Sequence, residues 1–304
     1  MNSKRSFNSI AQRQSFGSLL IMILIFSASE LASAKPWEGV SRNREPDWVT
    51  KRNSIEREKR LKPNARNLFI GDSITEGYSL ASLWRGGLST QSINAGISSD
   101  RVEHMIWRVE NGLMDGIAPE NIIIMGGTNN IAYNSPLSIS LALFKLVKII
   151  QHKRPTAHII LVHTIPGGKK PHYKRRRNTQ TVSKLLNNIA LKGVIHVRMD
   201  KDFIKSNGRL GSMYAQDGVH LTPSGSEAIL NRLLPFLKIG KASVGSGGGY
   251  LTNEKIISKN RAEIAAHDIH SSLPSIKKLL FTSEEPQKPV SNIARASGVM
   301  TEAR

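Results

Sequence analysis

Residues 67–75 of the chain read Asn-Leu-Phe-Ile-Gly-Asp-Ser-Ile-Thr, a short apolar run that ends in a glycine and two polar residues. Leu68-Phe69-Ile70 has the length and residue types of a strand buried on both faces, and a helix can begin at the polar turn that follows. Similar runs recur along the chain, alternating with longer segments of helical period, at Ile122–Met125, Ile159–Val162 and, more weakly, Val194–Val197. This βαβα alternation predicts an α/β fold with a parallel sheet covered by helices on both faces.

Three segments carry apolar residues at helical spacing. Ser135-Pro136 is a good cap and first turn, and the stripe that follows is Leu137, Leu141, Phe144, Val147 and Ile150. A second stripe is Val182, Leu185, Leu186 and Ile189. The last helix is predicted to begin at Thr222-Pro223 and to bury Ile229, Leu230, Leu233 and Leu237, with a kink or an early end at Pro235.

The two ends of the chain differ in texture from its middle. Residues 1–34 read as a signal peptide, with a basic start, an apolar stretch from Phe16 to Ala28 and an Ala-Ser-Ala cleavage site at 32–34. This pattern predicts a secreted or periplasmic protein, and an uncleaved membrane anchor is the alternative. Residues 35–62 are predicted to be a charged N-terminal arm, residues 63–239 the folded domain, and residues 240–304 a mostly disordered basic tail.

The composition narrows the possible chemistry. The 304 residues carry a formal net charge of +20, which favours anionic surfaces as partners. Cysteine is absent, so the chain has no disulfide, no thiolate nucleophile and no Cys-ligated metal.

Polar residues follow three of the predicted strands, where the carboxyl ends of parallel strands form one edge of the sheet. Ser73 follows the first strand, Asn94-Ala95-Gly96 the apparent second strand, and Gly127-Thr128-Asn129-Asn130 the third. Ligands bind at this edge in open parallel sheets. The backbone N–H groups of Ser73 and Gly96 and the Asn129 amide would give three donors for a tetrahedral oxyanion. Taken singly, each is equally explained as a turn or capping residue.

Asp217-Gly218-Val219-His220 lies after the last predicted strand and just before the final helix. The three-residue separation through a glycine-containing turn allows the Asp217 carboxylate to reach Nδ1–H of His220. Nε2 would then accept the proton of Ser73. Of the nine histidines, only His220 has a carboxylate so placed at the predicted active edge.

These blocks, in this order, resemble the SGNH (GDSL-like) hydrolase superfamily. Ser73 matches its first block, Gly96 the second, Asn129 the third, and Asp217 with His220 the fifth, over a span from about Arg66 to Leu237. Trp107–Gly112 followed by Gly127–Asn130 is similar to the branch of the platelet-activating-factor acetylhydrolase catalytic subunits, whose bacterial members are often secreted or periplasmic esterases, including carbohydrate O-deacetylases.

The resemblance implies a flavodoxin-like three-layer α/β/α domain with a five-stranded parallel sheet, and Ser73, His220 and Asp217 as catalytic residues. It implies no metal and no cofactor. The reaction it implies is removal of a short acyl group, acetyl in the simplest case, from a carbohydrate or lipid ester. An envelope O-acyltransferase and a non-catalytic glycan-binding protein are the alternatives that the same residues leave open.

One feature departs from the pattern of the family. Ser98-Ser99-Asp100 stands where many relatives have a pair of glycines before the aspartate, which predicts a narrower pocket near the oxyanion donors.

Basic runs occur at Lys169-Lys170, at 174–177 and at 57–60. A solvated surface is the first interpretation of these runs, and docking to anionic polysaccharide or to an envelope surface is the second. Nucleic acid is not expected, since the runs lack interleaved aromatic residues.

Overall fold

The computed structural model describes residues 35–189, 191–199 and 202–237. The predicted signal peptide and the predicted tail lie outside these ranges. Five strands and seven α-helices occur in them, and the chain order is α1 Pro46–Leu61, β1 Asn67–Gly71, α2 Ser73–Glu76, α3 Ser82–Arg85, β2 Ser92–Gly96, α4 Val102–Glu110, β3 Asn121–Met125, α5 Pro136–Lys153, β4 His158–Val162, α6 Lys174–Asn188, β5 Val194–Val197 and α7 Pro223–Leu233. Of these helices, none is both long enough and apolar enough to cross a membrane.

The five strands form one parallel sheet in the order β2-β1-β3-β4-β5. This is the flavodoxin-like order, in which the direction of strand addition across the sheet reverses between β1 and β3, the topological switch point. The register is level at the carboxyl edge, because Gly71 at the end of β1 pairs with both Gly96 of β2 and Met125 of β3. The residues that follow β1 and β3 therefore start from neighbouring points at the switch.

Alternating strand residues divide the core between the two faces of the sheet, as the period of two requires. Leu68 and Ile70 pack on one face with residues from α1, α4, α5 and α6. Phe69 packs on the other face with residues from α2, α3 and α7. The predicted three-layer α/β/α architecture is confirmed.

The helix boundaries agree with the capping signals. The side chains of Ser135 and Thr222 accept N–H groups of the first turns of α5 and α7. The α-helical part of α7 stops at Leu233, and Pro235 lies in a short 3₁₀ turn. In α5 the predicted stripe is wrong by part of a turn, because Leu137 is 47% exposed. The residues of α5 that face the core are Ile139, Ala142, Leu143, Leu146, Val147 and Ile150.

One other predicted placement is corrected. Asn94-Ala95-Gly96 does not follow the second strand but forms its last three residues. The segment 35–62 contains a 16-residue helix, α1, whose Trp48 and Ile55 are buried in the same core as the sheet. Lys59, in one of the predicted basic runs, is also buried and donates to Glu56 and to the carbonyl of Gly112.

Candidate active site

Ser73 lies at the switch point, as the first residue of α2. Asp72 is the N-cap of this helix, and its Oδ1 accepts the N–H of Ile74 at 2.9 Å. The turn depends on Gly71, because a β-carbon there would lie 2.0 Å from Oγ1 of Thr75. With only four residues, α2 has little macrodipole, so what it offers to a negative charge at Ser73 is the N–H groups of its first turn.

Ser73, His220 and Asp217 form one continuous chain of hydrogen bonds. Oγ of Ser73 lies 3.0 Å from Nε2 of His220, and Nδ1 of His220 lies 2.5 Å from Oδ2 of Asp217. A carboxylate can only accept, so Nδ1 carries the proton and Nε2 is free to accept the Ser73 hydroxyl proton. The arrangement is that of a nucleophile, a general base and the group that orients the base.

The loop of Asp217 is shaped by the carboxylate itself. Oδ1 of Asp217 accepts the backbone N–H groups of Val219 at 2.8 Å and His220 at 3.0 Å, while Gly218 takes a positive φ of 70°. Burial acts to raise the pKa of Asp217, but these hydrogen bonds and the one from the His220 ring outweigh it and lower the pKa to about 2. The Asp217 carboxylate is therefore charged at neutral pH.

Asn129 follows β3 and begins a 3₁₀ turn at the same edge. One amide N–H of Asn129 donates to the Asp100 carbonyl at 2.9 Å, which fixes the side chain. An amide has two N–H donors, so the second remains for a ligand. The predicted donor is thus placed next to the loop that follows β2.

The expectation that the Gly96 N–H is an oxyanion donor is corrected. This N–H donates to Oδ1 of Asn94 at 2.9 Å, and Gly96 is buried at the end of β2. A β-carbon at Gly96 would lie 2.2 Å from the backbone nitrogen of Glu76. The glycine is needed because α2 passes directly over the strand, not because it faces a ligand.

The loop after β2 offers a different donor. The N–H groups of Ile97, Ser98 and Asp100 donate to the Gly71 carbonyl, to Oε2 of Glu76 and to the Ile97 carbonyl, respectively. Ser99 is exposed, and none of the described residues accepts its N–H. It is also the only non-glycine residue in the described ranges with a positive φ, 64°. The second serine of the pair noted in the sequence, Ser99, therefore adopts a conformation that favours glycine.

The segment 35–62 holds this loop from outside the sheet. Nη1 of Arg42 donates to the Ser98 carbonyl at 2.9 Å and to Oδ1 of Asp100 at 3.1 Å. Lys51 of α1 forms an ion pair of 3.0 Å with Glu76, whose other oxygen accepts the N–H and hydroxyl of Ser98. Burial acts to raise the pKa of Glu76, but hydrogen bonds from Ser98 and Lys51 lower it overall.

Asp100 is the centre of a buried polar cluster under the same loop. Its Oδ1 accepts Nε1–H of Trp48 at 2.8 Å, and Nη2 of Arg108 lies 2.8 Å from Oδ2. Arg108 is also fully buried. It donates to the carbonyl of Ala95, the last residue but one of β2, and to the carbonyl of Gly71, the last residue of β1. The sequence pattern did not reveal Arg42, Glu76 or Arg108 as part of the site, because no local spacing links them to Ser73.

Asp72 is a second buried carboxyl group beside the nucleophile. It is 1% exposed, and its Oδ2 has no hydrogen-bond partner among the described residues. Burial raises the pKa of Asp72 to about 7, against the smaller effect of the N–H of Ile74.

Another histidine, His163, is buried and has structural surroundings. Its Nδ1 lies 3.2 Å from Oγ of Ser183, and its Nε2 lies 2.9 Å from Nδ1 of His196.

The parallel sheet in this strand order, with Ser73, Asn129, Asp217 and His220 gathered at one edge, is the arrangement of an SGNH hydrolase. No three His, Asp or Glu side chains in the part of the chain that the structure describes are placed to hold a metal ion.

Comparison with known proteins defines the family within this class. The model of the GDSL-like lipase/acylhydrolase family matches residues 69–228, more than half of the chain. The chain belongs to this family of hydrolases that act on esters.

Among its relatives is platelet-activating factor acetylhydrolase IB subunit alpha2 of Homo sapiens, 31% identical over 170 residues that cover 55% of this chain and 73% of that protein. The Drosophila melanogaster IB subunit beta homolog is 29% identical over 174 residues, covering 56% and 76%. A GDSL-like lipase from Bacteroides thetaiotaomicron shares the fold, with a TM-score of 0.50 and 18% identity over 62% of this chain and 95% of that chain.

Proposed function

We propose that the protein removes a short acyl group, most simply acetyl, from a carbohydrate or lipid ester through a Ser-His-Asp acyl-enzyme mechanism. The observation that carries this proposal is the hydrogen-bonded chain Ser73–His220–Asp217 at the switch point. The named acetylhydrolase relatives support acetyl as the acyl group.

In the first half-reaction, Oγ of Ser73 attacks the ester carbonyl carbon while Nε2 of His220 takes the hydroxyl proton. Asp217 keeps the imidazole in the tautomer that can accept this proton and stabilises the imidazolium that forms. The tetrahedral oxyanion collapses, the C–O bond to the alcohol half breaks, and His220 returns the proton to the departing alkoxide. Water then attacks the acyl-Ser73 ester with His220 as base, which releases the carboxylic acid and restores Ser73.

For the oxyanion we propose three donors: the N–H of Ser73, the second amide N–H of Asn129 and the N–H of Ser99. Ser99 replaces the predicted Gly96 because Ser99 is an exposed residue whose N–H has no acceptor in the described ranges, and because Asn129 donates a hydrogen bond to the carbonyl of the next residue, Asp100. Loss of one such donor typically lowers turnover by about 10²- to 10³-fold.

The exposure of the catalytic base favours a bulky polar alcohol half. The side chains of His220 and Asp217 are 51% and 47% exposed, so the side from which the alkoxide leaves is open to solvent. A glycan can occupy such a surface without burying its hydroxyl groups. This supports an acetylated carbohydrate over an ester whose alcohol half is apolar.

The test compares wild type with Ser73→Ala on p-nitrophenyl acetate and on a series of acetylated sugars, with and without an excess of unacetylated glycan as acceptor. We expect release of acetate by the wild type and none above background by the variant, at equal melting temperatures. Transfer of acetyl to the glycan in place of acetate release would identify an acyltransferase. Absence of turnover by the wild type over a broad pH range would leave a binding protein and reject the enzyme.

We also propose that the protein is exported, on the sequence pattern of residues 1–34 alone. Expression of the full chain in a Gram-negative host, fractionation, and mass spectrometry of the amino terminus test this. A chain that begins at Lys35 in the periplasmic or extracellular fraction is expected. A chain that keeps residues 1–34 in the membrane fraction would establish the anchor instead.

A further inference from the structure

Two cationic side chains stand against the catalytic loop, on the segment that follows β4. Lys169 packs on Gly218, between Asp217 and His220: a β-carbon built on that glycine would lie 2.9 Å from Cγ of Lys169. Nη1 of Arg175 donates to the carbonyl of Thr128, the residue before Asn129, at 3.1 Å. A β-carbon on Gly167 would lie 3.2 Å from Cδ of Arg175 and 3.9 Å from the Gly218 carbonyl oxygen. Arg175 therefore lies between the His220 loop and the Asn129 turn.

The backbone that carries these cations is firmly held. Arg176, only 1% exposed, donates to the carbonyls of Gly167 and Gly168. The Gly168 N–H donates to the Gly218 carbonyl at 2.8 Å, and the hydroxyl of Tyr214 donates to the Pro166 carbonyl at 2.5 Å. Of the basic run 174–177, Arg176 is thus structural rather than a solvated charge. Its neighbours Lys169 and Arg175 are presented on a fixed turn.

The positive charge at this turn is not neutralised within the described ranges. No ion pair there includes Lys169, Lys170 or Arg175, and Lys169 and Lys170 are exposed. The nearest catalytic carboxylate, Asp217, already accepts three hydrogen bonds from its own loop. By contrast, other basic residues near the site, such as Arg42 and Lys51, are paired with glutamates.

The position of the cations relative to the mechanism decides which part of a substrate they meet. The acyl carbonyl oxygen must point to the oxyanion donors, whereas His220 must reach the oxygen of the leaving alcohol to protonate it. The alcohol half therefore extends over the His220 loop, where Lys169 lies, and along Arg175.

We infer that Lys169 and Arg175 form a recognition site for an anionic oxyacid group, a carboxylate or a phosphate, on the alcohol half of the ester. Arg175 offers a planar guanidinium with donors left over after Thr128, which suits two oxygens of one anion. Lys169 adds a mobile point charge. This inference rests on the proposed esterase activity and deepens it: the substrate is an ester of an acidic alcohol, such as an acidic sugar unit.

The experiment measures kcat/KM for three aryl acetates that differ only in the para group: 4-acetoxybenzoate, 4-acetoxyphenyl phosphate and the neutral 4-acetoxybenzamide. Because intrinsic reactivity differs among these esters, the readout is the anionic-to-neutral ratio compared between enzyme forms. Arg175→Gln and Lys169→Met are the test variants. Lys192→Met, an exposed lysine before β5 at the opposite edge of the sheet, is the matched control for the lost charge.

We expect each test variant to lower the anionic-to-neutral ratio by about 2- to 5-fold, the effect of one partly exposed ion pair, and the control to leave it unchanged. Added salt should lower the wild-type ratio toward that of the double variant. The carboxylate and phosphate arms show which anion the site favours. If Arg175→Gln melts at a lower temperature, Arg175→Lys keeps the charge and should keep most of the ratio.

A wild-type ratio that neither salt nor the variants change, with all three esters hydrolysed, would overturn the anion site and leave the esterase standing. Failure of the wild type to hydrolyse any of the three esters would instead reject the proposed function and, with it, this inference. A ratio that falls equally in Lys192→Met would mean that net charge, rather than this site, attracts the anion.

Discussion

Replacement of Arg42 by methionine tests whether the segment 35–62 maintains the loop that carries the proposed Ser99 donor. The side chain of Arg42 is 13% exposed and joins the Ser98 carbonyl to Oδ1 of Asp100. Methionine has a similar length and keeps the packing of the stem, but donates nothing. Asp100 keeps its contacts with Trp48 and Arg108, so no buried charge is left alone.

Loss of a hydrogen bond to a charged group costs about 1.5–3 kcal/mol, and we expect Arg42→Met to lower the free energy of unfolding by about 2 kcal/mol. The effect on catalysis comes from Ser99, because a non-glycine residue at positive φ is disfavoured by about 1–2 kcal/mol and leaves that conformation when the restraint is removed. If the positive-φ conformation of Ser99 becomes less favourable by about 1.4 kcal/mol, its N–H is correctly placed about ten times less often, which corresponds to about a tenfold loss in kcat/KM.

The assays are urea unfolding and kcat/KM on p-nitrophenyl acetate at a temperature where both proteins are folded. Arg44→Met, an exposed neighbour in the same segment, is the control for lost charge. In a Ser99→Gly background the loss of activity caused by Arg42→Met should shrink, since glycine takes positive φ without strain. The reasoning is refuted if Arg42→Met affects kcat/KM no more than Arg44→Met, or if the loss is equal in both backgrounds.

Four further predictions concern the loop of Asp217, the turn of Ser73, and the end of β2 with the loop that follows it. Asp217→Asn should lower kcat by about 10²- to 10⁴-fold with little change in KM, and an unchanged kcat would show that other contacts orient His220. Because the folded-state pKa of Asp217 is lowered to about 2, its stabilising effect is full above the ordinary value of 3.8 and is lost as pH falls toward 2, which acid titration of the wild type against Asp217→Asn measures. The raised pKa of Asp72, about 7 against 3.8, has the opposite sign: the ionised group increasingly destabilises the fold as pH rises through this interval. The free energy of unfolding of Asp72→Asn, relative to that of the wild type, should therefore rise by on the order of 2–4 kcal/mol between about pH 4 and pH 8. A difference between the two proteins that does not change with pH would contradict this prediction. Gly96→Ala should destabilise by about 3 kcal/mol, since its methyl group meets the Glu76 backbone, while Ser99→Gly should change stability by no more than about 1 kcal/mol; equal unfolding midpoints for the two would contradict the different roles assigned to them.

The sheet and the order of its helices were predictable because each depends on a local pattern. A buried parallel strand is a continuous apolar run, and Leu68-Phe69-Ile70 and Ile122–Met125 are such runs. The position of Leu137 was not predictable in the same way, because α5 has apolar residues on more than one side. Only the helices packed beside it, α4 and α6, decide which of its possible stripes is buried.

The site residues also fall into those that local sequence predicts and those that only the folded chain reveals. Ser73, Asn129 and His220 could be found because the topology brings the carboxyl ends of parallel strands to one edge. Ser73 and Asn129 come soon after readable strands, and His220 comes just before the readable start of the last helix. The direction of one N–H group is a different kind of fact. Asn94, two residues before Gly96, takes that N–H with its own side chain, so the loop beyond β2 has to supply the donor. Arg42 is 56 residues from Ser98, and only the folded chain brings them together.

Two buried arginines, Arg108 and Arg176, fix the loops that carry Ser73 and His220. Part of the chain's large positive charge is therefore inside the protein and not on its surface. Arg108 draws together the carbonyls of Gly71 and Ala95 and the carboxylate of Asp100, and so fixes the nucleophile's turn against the loop after β2. Arg176 donates to the carbonyls of Gly167 and Gly168. The N–H of Gly168 in turn donates to the carbonyl of Gly218, in the loop between Asp217 and His220. A guanidinium can do this because its five donors lie in one plane, whereas an ammonium presents three donors from a single point. Arg108 therefore satisfies carbonyls at the ends of two strands and Arg176 satisfies carbonyls of a loop, and together they fix the backbone that positions Ser73 and His220.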